Sequence, residues 1–96
     1  MIKIEIKVVS ETVETHYLED FDVSHFFDKV FLCREIAKYL NQVYRLLVQI
    51  EILGLKVTED EQVIFEDIRA YEQYLHEHDI VFRNNLAYVK GELYQE

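Results

Sequence analysis

Between Ser24 and Gly54 the chain has neither glycine nor proline, and its apolar residues fall on two adjacent helical stripes. One runs Phe26, Val30, Cys33, Ala37, Leu40, Tyr44 and Leu47; the other runs Leu32, Ile36, Tyr39, Val43, Leu46, Ile50 and Leu53. Together they exceed the ~100° arc that a single core contact needs. With no breaker before Gly54, the pattern predicts one long helix over residues 24–53, about 45 Å at the α-helical rise. A folded chain of this length is only about 30 Å across. The helix is therefore expected to project past its own domain, with its second stripe covered by another copy of the protein; the alternative is that the sheet covers both stripes within one chain. Tyr39, Val43, Leu46, Ile50 and Leu53 form the expected homodimer seam.

The flanking segments read as strands and a second helix. Ile2, Ile4, Ile6 and Val8 alternate with Lys3, Glu5 and Lys7, the period of a half-buried strand. A turn at Ser10 and Glu11 would pair Val8 with Val13, Lys7 with Glu14 and Ile4 with Tyr17. Asp22 or Ser24 can cap the long helix, with Asp28 near its positive end. Gly54 is expected to close it, and Thr58 with Glu61 forms a capping box that opens a second helix at about Glu59. Ile64, Ile68, Tyr71 and Leu75 mark the apolar stripe of that helix. Asn84 and Asn85 sit between two β-prone runs, where asparagine tolerates the left-handed turn of a hairpin. That turn pairs Asp79 with Lys90 and Val81 with Tyr88. The expectation is one α+β domain over residues 1–96, with an N-terminal β-hairpin, two α-helices, one of them long, and a C-terminal β-hairpin, in the order ββααββ.

Charge bears on function. Nineteen acids against ten bases give a net charge of −9, which repels nucleic acid and favours encounter with basic proteins. From Val57 to Asp79 eight acids face Arg69 alone, whereas Arg34, Lys38 and Arg45 make the long helix locally basic. The acids either pair with that basic stripe, in exposed contacts worth ~0–1 kcal/mol each, or present Glu59, Asp60, Glu66, Asp67 and Glu72 to a basic or mixed-charge protein partner. A lone cysteine and an N-terminus without an unbroken apolar run point to the cytoplasm. No run of 18 uncharged apolar residues suggests a membrane span.

Catalytic signals are weak. Glu72, His76 and Asp79 at i, i+4 and i+7 are the one spacing that could gather metal ligands, and solvated side chains at a helix end explain it as well. Cys33 lies mid-helix among Val30, Ile36 and Ala37, with nothing to stabilise a thiolate. Gly54 and Gly91 are the only glycines, which excludes phosphate-cradling loops. Two helices followed by a hairpin with Arg83, Asn84 and Asn85 at its tip resemble the winged-helix plan in element order. The acidic second helix argues against such a nucleic-acid-associated regulator. The reading is a non-catalytic protein-binding module without cofactor, of the inhibitor, immunity, antitoxin or adaptor type. The alternatives are the winged-helix regulator and a small metal-dependent enzyme.

Overall fold

The computed structural model describes residues 1–8, 13–18, 21–46 and 52–94, the side chains of 8, 44–46, 52 and 53 excepted. The elements are β1 (Ile2–Val8), β2 (Val13–Leu18), α1 (Phe26–Leu46), β3 (Ile52–Glu59), β4 (Gln62–Phe65), α2 (Ile68–Glu77), β5 (Ile80–Arg83), β6 (Leu86–Val89) and β7 (Glu92–Tyr94). They form an antiparallel sheet in the order β2-β1-β3-β4 and a separate meander, β5-β6-β7. The α+β class holds, with its N-terminal hairpin, two helices and C-terminal hairpin. A further hairpin, β3–β4, stands between the helices, and β7 extends the C-terminal one.

The long helix is shorter than its pattern suggests. Leu53 and Gly54 belong to β3, where Gly54 faces Lys7 next to an irregularity in the β1–β3 ladder. Gly54 therefore marks a bulge in a strand and not a helix end. Leu55 and Val57 are buried while Lys56 is exposed, a period of two that overrides the helical reading. Strand β1 requires this partner. Its Ile2, Ile4 and Ile6 are fully buried in the middle of the sheet, and β3 satisfies the backbone edge that β2 leaves open. At 21 residues α1 is about 32 Å long, within the 38 Å long axis of the molecule. Leu47 and Ile50 lie outside the described residues.

Two layers cover α1. Leu32, Cys33, Ile36 and Val43 pack with Ile2, Ile4, Ile6, Leu55, Val57, Phe65 and Tyr71 in the main core. Val30 packs instead with Ile80 and Ala87 of the meander, beside Tyr74, Leu75 and Phe82. Of the first stripe, Val30 packs toward the meander, whereas Cys33 and Leu40 join Leu32, Ile36 and Val43 of the second in the main core. Helix α2 bridges them, and the Tyr71 hydroxyl donates to the Cys33 carbonyl at 2.9 Å.

Local signals were displaced as well. Thr58 caps no helix, because Asp60, in the left-handed region at φ 54°, and Glu61 make the β3–β4 turn. The cap of α2 is Asp67, whose side chain accepts from the Ala70 amide at 2.7 Å. Ile64 lies in β4, leaving Ile68, Tyr71 and Leu75 on the helix. In the N-terminal hairpin Ile4 faces His16 and Lys7 faces Val13, one residue away from the expected register. That slip turns Val13, Thr15 and Tyr17 outward and Glu14, His16 and Leu18 inward. The isoleucines of β1 find their apolar cover on α1, so β2 need not supply it. The expected turn at Ser10–Glu11 lies outside the described residues. The C-terminal hairpin has the expected register, Val81 against Tyr88, about Asn84 and Asn85 at φ 53° and 64°. Lys90 and Gly91, at φ 53° and 81°, repeat the same turn geometry and lead into β7.

Candidate functional site

The five acids expected on one helix are spread from the end of β3 through two connecting segments to α2. Glu59 ends β3 and Asp60 begins the hairpin turn; Glu66 and Asp67 follow β4; only Glu72 lies on α2. Asp60, Glu66, Asp67 and Glu72 are exposed and Glu59 is half-buried. The acids therefore frame the short edge strand β4 and continue onto the outer face of α2, where Glu72, Gln73, His76 and Glu77 are exposed. Asp67 is partly committed, since it caps α2.

Arg34 and Lys38 of the basic stripe do not neutralise them, and the Arg45 side chain is not among those described. Arg34 and Lys38 both reach Glu35 on their own helix, at 3.5 Å each. Arg34 also lies over the Phe31 ring at 4.6 Å, and Lys29 lies over Tyr74 at 4.4 Å. Among the described residues the acid framing β4 that has an ion pair is Asp60, with the N-terminal amine at 3.7 Å. Glu61, Glu66 and Glu72 are exposed and have no Lys or Arg partner among the described residues.

The residues expected at a dimer seam are not one free stripe. Val43 is buried in the core of its own chain. Tyr39 is half-buried and stacks on His16 at 4.6 Å, which places it beside the β2 edge. Burial, with the Glu14 carboxylate as a second cause, pushes the Tyr39 hydroxyl pKa up. The Leu46 side chain is not among those described, Ile50 is outside the described residues, and Leu53 is in β3. Tyr39 and Val43 pack against the four-stranded sheet of their own chain.

Glu72, His76 and Asp79 are not gathered. Helix α2 ends at Glu77, and Asp79 turns left-handed at φ 51° with its carbonyl accepting the Lys90 amide at 2.9 Å. The helical spacing that would align the three side chains is lost there. No group of three His, Cys, Asp or Glu among the described residues could hold a metal ion. Cys33 is buried, and desolvation pushes its thiol up to about 12. His16 is stacked on Tyr39, and His25 pairs with Asp22 at 3.3 Å. Hydrogen bonds from Ser24 hold the Asp22 carboxyl below its usual value.

No family model, curated protein or solved structure matches the chain. The geometry alone therefore bears on its function. The order that resembled a winged helix is interrupted by β3 and β4, and the hairpin tip is turned against α1, where Asn84 and Asn85 share a cleft of about 300 Å³ with Arg34, Lys38 and Asn41. The sequence reading missed a second, more apolar cleft of about 440 Å³ where Phe26, His78, Leu93 and Tyr94 meet. Its only local signal is the Lys90-Gly91 turn that brings β7 back across the end of α1. No helix among the described residues is long and apolar enough to cross a membrane.

Proposed function

We propose that the protein is a non-catalytic acidic module that binds a basic or mixed-charge protein partner in the cytoplasm, in the manner of an inhibitor, immunity protein, antitoxin or adaptor. The observation that carries this reading is that Arg34 and Lys38, the described bases of the helix stripe, do not answer the acids. Arg34 and Lys38 close on Glu35, so Glu61, Glu66 and Glu72 keep their charge directed at solvent. Unpaired surface acids steer basic partners at long range. The same module is proposed to act as a homodimer.

The test replaces Asp60, Glu61, Glu66 and Glu72 by Asn or Gln together, all at exposed positions where the fold has little stake. Proteins captured from the native host by the wild type at low salt should include a basic partner that the quadruple variant releases. Undiminished capture by the variant, or retention of duplex DNA at physiological salt, would overturn the reading.

A further inference from the structure

The four-stranded sheet has two edges that differ in kind. Strand β4 is four residues long, has a register irregularity in its ladder with β3, and is flanked by acids. Such features discourage pairing with another chain. Strand β2 is six residues long and pairs, among the described residues, with β1 alone. It has no proline or lysine, and its outward side chains, Val13, Thr15 and Tyr17, are uncharged. Val13 is 49 % exposed and Tyr17 58 % exposed, next to the open backbone edge.

The sequence of β2 is complementary to itself. When two copies of an antiparallel edge meet about a two-fold axis normal to the sheet, each side chain stays on its own face, so the axis must pass midway between one residue and its own counterpart. With Thr15 on the axis, Val13 faces Tyr17 of the second copy, Glu14 faces His16 of the second copy, and Thr15 faces its own counterpart. Aromatic against β-branched, acid against imidazole and threonine against threonine are each favourable cross-strand pairs. Neighbouring registers lose this. Glu14 on the axis opposes two carboxylates, and His16 on the axis sets Glu14 against Leu18. Tyr39, stacked on His16 above the same edge, brings α1 of each copy to the junction.

We infer that β2 pairs with β2 of a second copy about Thr15, making one continuous eight-stranded sheet in a symmetric dimer. This deepens the homodimer reading and rests on it, and it moves the contact from the helical stripe to the sheet edge. In the dimer the two Thr15 residues lie one strand spacing apart, about 5 Å, whereas the two β4 strands lie seven spacings apart, on the order of 30 Å.

The experiment combines mass and distance. Sedimentation of the wild type at 10–100 µM, a range spanning roughly micromolar affinities, should give the dimer mass. Nitroxide labels on Thr15→Cys should then show strong mutual broadening, and labels on Val63→Cys, on the exposed face of β4, should lie tens of ångströms apart. Buried Cys33 takes no label in the folded protein. Val13→Lys with Tyr17→Lys should give a folded monomer, because lysines then oppose one another twice across the axis. Val13→Glu with Tyr17→Lys should restore the dimer. A monomeric wild type would remove both the homodimer and this interface. A dimer in which the Thr15→Cys labels are far apart, or one unaffected by the paired lysines, would keep the homodimer and overturn the β2 contact.

Discussion

The two layers against α1 are unequal, and their inequality organises the molecule. Toward the four-stranded sheet the helix meets Ile2, Ile4 and Ile6 from β1 with Leu55 and Val57 from β3, a contiguous apolar floor. Toward the meander, Val30 meets Ile80 and Ala87, with partly buried aromatics closing the sides. The first contact has large aliphatic residues from several elements; the second depends on three short strands of four, four and three residues. Stability drawn from burial should follow this difference, since the free energy of removing apolar area from water scales with the area. The meander should open first, while β1, β3 and α1 hold until global unfolding.

The largest expected effect tests the larger layer. Ile4→Ala should destabilise the protein by about 4 kcal/mol, near the upper part of the range for emptying a close-packed site. Ile80→Ala should cost about 2 kcal/mol, because the meander can collapse onto the smaller side chain. Denaturant titration of the two variants measures the contrast directly. Equal losses, with amide exchange as slow in β5–β7 as in β1 and β3, would show that the two layers are one cooperative unit.

Alkaline pH probes the helix between the layers. Burial raises the Cys33 thiol from 9.0 to about 12 and lifts the Tyr71 and Tyr74 hydroxyls as well. Groups whose folded pKa is raised support the fold fully below their unfolded values and lose that support as pH rises through the folded ones. For Cys33 the unfolded chain binds fewer protons above about pH 9, so stability should fall with pH between 9 and 12. Cys33→Ala should flatten part of that slope. An unchanged slope would assign the fall to the tyrosines alone.

The bridge between the layers offers a smaller handle. Tyr71→Phe keeps the ring in the core and removes the donor to the Cys33 carbonyl, at a cost of about 1 kcal/mol. Both layers should loosen together in exchange measurements, since α2 touches each. Smaller still, Asp67→Ala removes the cap of α2 and should cost about 1 kcal/mol or less at this exposed site. A loss above 2 kcal/mol would mean that Asp67 does more than cap.

The strand period at Ile2–Val8 and the helix through Leu32, Ile36 and Val43 could be read from residue order. So could the C-terminal hairpin, because two asparagines accept a left-handed turn wherever they stand. These features depend on neighbours within a few residues. The candidate site was legible only as composition: the excess of acids was visible, but not its arrangement around β4, because Thr58 and Glu61 mimic a helix cap in a segment that forms a hairpin.

What only the tertiary structure decided is which surface each apolar stripe meets. The second stripe of α1 calls for a partner, and a strand of the same chain satisfies that demand as well as a second copy would, because hydrophobic burial carries no direction and no chain identity. The register of β2 was decided in the same way. Once α1 covered the isoleucines of β1, the edge strand was free to turn Val13 and Tyr17 outward, a choice that its own alternation leaves open.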